Sequence, residues 1–343
     1  MSNNTEQDIN LNLLRERAKK ADVITEEQFA QCNVINRDMI KEYFSCNRQL
    51  SPDSKKQYYS CLKQFFYWIL QNANDKPYYN ITKRDFIKFY GDMQDRGLSS
   101  DAINLRKSAV SSFCNFIENI IADEVEECKS FRNFTRGMPQ LPKTHVYNKV
   151  AVTKEEYDHM MEVLEERKDY LGMAWVATAF NVGSRRSELI QFKTEILDYE
   201  MPEGKNYVLS HVVRGKGNGT QGKPLVYMIN TTVLKYWKLW VDNRGYDSEY
   251  IFTSKQKNRK GLEHDHLTRE WANRFCQDVL SPICGRRINP HLFKASCITY
   301  LLEQGKDMKV ISKYIAQHND VSTTSNHYDL RTLDEEKDDI FNI

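Results

Sequence analysis

Between residues 36 and 137 apolar side chains return at helical intervals. Tyr58, Cys61, Leu62, Phe65, Phe66 and Ile69 form one wide stripe of positions three and four apart. Ser51-Pro52 heads this helix, with proline in the first turn, where its missing N–H costs nothing. Thr82 heads a second helix carrying Phe86, Ile87, Tyr90 and Met93, and Gly97 ends it. Ser99 or Ser100 opens a third with Ile103, Val110, Phe113, Ile117 and Ile120. The pattern predicts a small all-helical bundle. Residues 1–35 are polar and mixed, an N-terminal extension with a short basic helix candidate at Leu14–Lys20. Pro139 and Pro142 break the period, so residues 138–150 read as an interdomain linker.

A second domain, residues 151–343, follows. Thr153 and Glu156 are spaced as a capping box. Residues 170–181 are almost wholly apolar, predicting a buried helix that Gly183 stops. Alternation over 207–213, a glycine-rich turn and 224–229 predict a β-hairpin with Lys216 at or near its tip. From about 231 the signals are helical, with Thr268, Asn289-Pro290 and Ser322/Thr323 as starts. The fold class is therefore mainly α with a small β-sheet. The last stretch, Leu333–Ile343, is acidic and then apolar, which suits either a helix packed on a neighbouring subunit or a frayed tail.

Composition narrows this little. The net charge of +2 neither requires nor excludes nucleic acid, because acidic runs at 123–127 and 334–339 offset a more basic remainder. Eight scattered cysteines without a CxxC pair suit reduced thiols. No apolar run reaches the length of a membrane span, so the expectation is a cytoplasmic protein with no membrane partner.

The chemistry concentrates late in the chain. Arg185 lies in Gly183-Ser-Arg-Arg-Ser-Glu188-Leu189, at a helix boundary where a guanidinium can fork onto two phosphate oxygens. Lys216 lies in Arg214-Gly-Lys-Gly-Asn-Gly219, with Lys223 as the alternative cation of the hairpin. His291 and Lys294 share one helix start, and His318 and Tyr328 follow ten residues apart. A phenol with a pKa near 10 is a poor nucleophile until cations and a proton acceptor stabilise its oxyanion. This inventory can hold a phosphodiester and attack it without a metal. Taken singly, each group also suits an ordinary solvated or capping position.

Order and spacing together resemble the tyrosine recombinases, the lambda-integrase family of DNA strand-exchange enzymes, over roughly residues 36–330. The resemblance implies a SAM-like helical core-binding domain and an α+β catalytic domain, closing on a duplex as a clamp. It also implies that Tyr328 is the nucleophile, Lys216 the general acid, and Arg185, Lys294 and His318 the phosphate clamps. His291 would assist, and Glu188 would support the arginine. Two departures stand out: lysine at 294 where the family carries arginine, and one extra residue between His318 and Tyr328. Lysine keeps the charge and loses the planar fork. Arg286 and Arg287, a few residues upstream, are the other arginines close in sequence.

The implied partners are double-stranded DNA with inverted-repeat core sites, a homotetramer on that DNA and an accessory directionality factor, with no cofactor and no metal. Lys55, Lys56, Lys63, Arg106 and Lys107 lie off the apolar stripes and are candidate contacts to the DNA backbone. Tyr314, the other tyrosine near His318, reads as core. His264-Asp265-His266 lacks further metal ligands at suitable spacing, and the basic run 255–260 suits a solvated loop equally well. Two other functions fit the same motifs: a catalytically silent DNA-binding relative, and a type IB topoisomerase.

Overall fold

The computed structural model describes residues 22–141, 149–217, 221–254 and 265–331. The chain divides into two compact units at Asn148/Lys149.

The N-terminal unit is helical. Its helices are α1 (Glu26–Phe29), α2 (Val34–Cys46), α3 (Pro52–Asn72), α4 (Lys83–Asp95) and α5 (Ser100–Asn119). Each starts on a side-chain cap: Thr25, Asn33, Ser51, Thr82 and Ser99 accept from backbone N–H groups one turn in. Phe65, Phe66, Phe86, Phe89 and Phe113 fill the centre with mostly edge-to-face ring contacts. Two expected stripe positions are exposed instead. Ile87 lies beside the buried row Phe86, Phe89, Tyr90, Met93, and Ile120 follows the last residue of α5. The expected extension and linker both reach into this unit. Ile24, Phe29 and Cys32 belong to its core, and the Asn104 side chain clasps the Leu141 backbone through both N–H and C=O. The candidate helix at 14–20 and the tail from 333 lie outside the described residues.

The C-terminal unit is built around α7 (Tyr170–Val182), whose residues from Gly172 on are nearly all buried. It packs against α6 (Lys154–Glu166), α9 (Thr231–Asn243) and α11 (Pro290–Glu303). Thr178 on α7 accepts from the Trp237 indole at 2.7 Å, satisfying a buried donor. Short α8 (Arg186–Leu189) follows α7 directly. The expected hairpin forms as two antiparallel ladders rather than one. Strands β1 (Tyr207–Leu209) and β4 (Met228–Asn230) pair at its base, and β2 (Val213–Gly215) and β3 (Lys223–Leu225) at its outer end. The break falls at Ser210–Val212, where the Ser210 hydroxyl takes the Tyr227 N–H and His211 turns to the Gln191 carbonyl. Gly222 (φ +74°) closes the outer end, where a Cβ would come within 2.8 Å of the Gly215 carbonyl.

The remaining helices are α10 (Arg269–Phe275, running on through one wide π turn to Cys284), α11, α12 (Met308–Val310, with a π turn Ile311–Ala316) and α13 (Val321–Tyr328). Thr268 and Asn289 cap α10 and α11 as expected. Helix α13 is capped by Asp320, two residues before the serine predicted to start it. Among the described residues, no helix is long and apolar enough to cross a membrane.

Candidate active site

Gly183 ends α7 in the left-handed conformation, φ +67°. A Cβ there would meet the Ile315 side chain at 2.8 Å, so the absent side chain lets this turn approach α12. The turn delivers Arg185 at the head of α8. Its guanidinium pairs with Glu188 at 2.9 Å, and its backbone N–H donates to the second carboxylate oxygen at 2.7 Å. That oxygen also accepts from the buried Tyr227 hydroxyl. Glu188 is fully buried, which alone would raise its pKa. Arg185, the Tyr227 hydroxyl and the Arg185 N–H outweigh burial and hold it ionised below the usual range. Burial likewise opposes the charge on Arg185, and Glu188 more than compensates. The guanidinium is thus anchored on one side while its side chain remains partly exposed.

Helix α11 presents His291 in its first turn and Lys294 one turn on, 1% exposed. The Lys294 ammonium donates to the Ala316 carbonyl at 2.8 Å and lies 5.8 Å from the centre of the Tyr328 ring. Burial, reinforced by Arg185, pushes its pKa down to about 7, with Glu188 pulling the other way. Thr299, further along α11, donates to the Tyr328 carbonyl and fixes the end of α13.

His318 and Tyr328 face each other with ring centres 4.8 Å apart. The His318 Nδ1 is 2.9 Å from the Thr324 hydroxyl, which itself donates to Ser312. Thr324 therefore accepts from His318, and the hydrogen of the neutral ring sits on Nδ1. Burial, then the charges of Lys294 and Arg185, lower the His318 pKa to about 4, so the ring is neutral near pH 7. Its Nε2 is buried with no partner among the described residues, an acceptor that a substrate or a transferred proton can satisfy.

Lys216 is exposed just beyond β2, and the His291 pKa is lowered by burial, then by the charges of Arg186, Arg185 and Lys149, and last by that of Lys216. Lys223 is engaged with the His318 loop: its ammonium donates to the Gln317 carbonyl at 3.2 Å and the Asn319 side chain at 2.6 Å. Arg185, Glu188, Lys294, His318 and Tyr328 thus come together, with His291 and Lys216 on the flank.

Several expectations need correcting. Arg286 cannot stand in for the arginine missing at 294, because it forms a two-pronged pair with Glu156 at 2.6 Å and donates to the Ala151 carbonyl. Tyr314 is 48% exposed, not core. Arg106 is not a surface cation: it is 8% exposed and donates to Gln64 and the Ala102 carbonyl. Of the other candidate backbone contacts, Lys63 is mostly covered and pairs with Glu26, Lys55 donates to the Phe44 carbonyl, and Lys107 donates to the Met138 carbonyl. Lys56 is exposed. The run 255–260 and His264 lie outside the described residues; His266 meets the Leu267 carbonyl. Among the described residues, no group of three or more His, Cys, Asp or Glu could hold a metal. Tyr227, Gln317, Asn319 and Ser312 support the site without any mark in the sequence beyond strand alternation around Tyr227, whereas Thr324 falls in the Ser-Thr-Thr turn that resembles the family's.

Comparison with known proteins identifies the family. Residues 151–333 match the model of the phage integrase family, and residues 40–119 match that of the phage integrase N-terminal SAM-like domain. The SPbeta prophage-derived recombinase-like protein YomM of Bacillus subtilis (strain 168) is 53% identical, covering 97% of this chain and 98% of its own. The tyrosine recombinase XerA of Pyrococcus horikoshii is 26% identical over 85% of this chain and 88% of its own. The XerH site-specific recombinase bound to a palindromic difH substrate shares the fold, with a TM-score of 0.64 and 16% identity over 90% of this chain and 95% of that one. The Tn1549 transposon integrase in complex with transposon right end DNA does so with a TM-score of 0.61 and 17% identity over 90% and 99%. With both domain models matched in order and a relative 53% identical along nearly its whole length, the chain belongs to the phage integrase family, the tyrosine recombinases.

Proposed function

We propose that this protein is a site-specific DNA strand-exchange enzyme and that Tyr328 is its nucleophile. The observation that carries the proposal is the gathering of Tyr328 with the His318 ring, the Lys294 ammonium and the Arg185–Glu188 pair. In the reaction a bond forms between the Tyr328 oxygen and the scissile phosphorus, and the bond from phosphorus to the 5′-oxygen breaks. The phenolic proton passes to an acceptor, for which the neutral His318 Nε2 is the candidate in place of the phosphate clamp the resemblance implied, because its one N–H is given to Thr324, and Lys216 supplies a proton to the departing 5′-oxygen. Arg185 and Lys294 stabilise the charge on the pentacoordinate phosphate, and His291 assists by hydrogen bonding. The 3′-phosphotyrosine keeps the bond energy, so a second 5′-hydroxyl can reverse the step on a partner strand through a Holliday junction. Inverted-repeat core sites, a homotetramer and an accessory directionality factor complete the proposal.

A nicked duplex carrying the cognate site tests it. The short fragment 3′ of the cut diffuses away and traps the ester, so a covalent protein–DNA adduct should accumulate and Tyr328→Phe should abolish it. One feature favours an attenuated relative instead: Lys294 spends one donor on the Ala316 carbonyl and offers no planar fork. Sequence-specific binding with no adduct would select that reading, and relaxation of a plasmid lacking the site would select a type IB topoisomerase.

A further inference from the structure

The loop that carries His318 is tied to the hairpin that carries Lys216 by three side-chain contacts. Lys223, on β3, donates to the Gln317 carbonyl and to the Asn319 side chain, the two residues that flank His318. Gln317 answers from the other side: its amide donates to the Val226 carbonyl, in the break between β3 and β4. Gln317 does this from a left-handed backbone, φ +54°. That conformation suits glycine and strains a side chain, so a glutamine there needs a compensating contact. The Val226 contact is one.

The geometry points to Lys223 and Gln317 as positioning residues that hold the β2–β3 hairpin in register with His318, so that the proton donor on the hairpin and the proton acceptor on the loop meet the same phosphodiester. This rests on the reading of Lys216 as the proton donor. Lys216 itself is exposed and lies one residue beyond β2. Its aim is therefore set by whatever fixes the outer ladder, in which Gly215 pairs with Lys223. The same contacts explain why Lys223 is a poor candidate for the proton donor: its ammonium is engaged with the His318 loop.

The test separates aim from shape through the leaving group. A duplex with sulfur in place of the bridging 5′-oxygen expels a thiolate, which needs no proton. On ordinary DNA, Lys216→Ala should slow cleavage about 100-fold or more, the usual worth of a general acid. Gln317→Gly and Lys223→Met should slow it about 10- to 100-fold, the cost of misplacing a reacting group by around an ångström. On the thio-substituted duplex all three should cleave at the wild-type rate. Gln317→Gly is the decisive variant, because it leaves both lysines in place and relieves the backbone strain, so its thermal unfolding should not fall. If Gln317→Gly cleaves ordinary DNA normally, or is equally slow on both substrates, the inference is overturned. If Lys216→Ala alone fails to recover on the thio-substituted duplex, the assignment of Lys216 falls, while recovery by Gln317→Gly still supports the clasp.

Discussion

Replacing Lys294 with arginine should remove one limb from the pH profile of DNA cleavage. In the free protein, burial and the nearby Arg185 and Lys223 lower the Lys294 pKa to about 7, against a pull from Glu188 and Cys297. His318, which feels Lys294 in turn, is already neutral across this range. If the scissile phosphate needs the ammonium, only the charged fraction of enzyme is competent. That fraction is about one tenth at pH 8 and about one hundredth at pH 9. The apparent second-order rate constant for cleavage, which reports free-enzyme ionisations, should therefore fall about tenfold per pH unit above 7 through this group. Arginine keeps its charge throughout. Its extra bulk, in a site only 1% exposed, should cost about 1–3 kcal/mol in packing, but that cost does not vary with pH. Taking the ratio of variant to wild type cancels the ionisations the two share. Single-turnover cleavage at subsaturating enzyme should show the ratio climbing from pH 7 to 9, and a flat ratio would refute the reasoning. The linkage has a definite sign in the DNA-free protein. The unfolded chain holds its Lys294 proton up to about pH 10.4 and the folded one only to about 7. This group therefore penalises folding most below pH 7, and the penalty is relieved as pH rises from 7 towards 10.

Three other substitutions probe the supports. Tyr227→Phe removes a buried donor from Glu188 and should lower stability in urea by about 1–3 kcal/mol, while slowing cleavage through a looser Arg185. Arg286→Ala breaks the two-pronged pair with Glu156; it should cost about 1–2 kcal/mol in thermal unfolding and leave cleavage by the folded protein unchanged, whereas a large loss of cleavage would return Arg286 to the active site. Arg106→Ala should destabilise the protein without altering the salt dependence of DNA binding, because the side chain is internal. Lys56→Ala, if that residue meets a phosphate, should reduce the slope of log affinity against log salt by about one.

What could be read from the sequence was whatever periodicity and punctuation encode locally. Capping residues located helix starts to within a residue or two, as at Ser51, Thr82, Thr153 and Asn289. The apolar run after Tyr170 marked the central buried helix, and alternation marked the hairpin, though not its break at Ser210. Burial of a charged residue was not readable, because it depends on a partner distant in sequence. Arg106 sits off the apolar stripe of its helix yet is covered because Gln64, on α3, receives it. The Arg286 side chain is taken up by Glu156, 130 residues away. In the site, residues with strong local motifs were legible, whereas Tyr227 and Gln317 were not, since their roles consist of single contacts to Glu188 and to the Val226 carbonyl. Tyr314 shows the converse error: an aromatic among apolar neighbours looked internal, but its position on α12 faces outward.

The most direct measurement is to digest the adduct formed on a nicked cognate duplex and sequence the peptide that carries the nucleotide. The account predicts a single modified residue, Tyr328, joined to a 3′-phosphate. A phosphate on another residue, or on the 5′ side of the break, would contradict it.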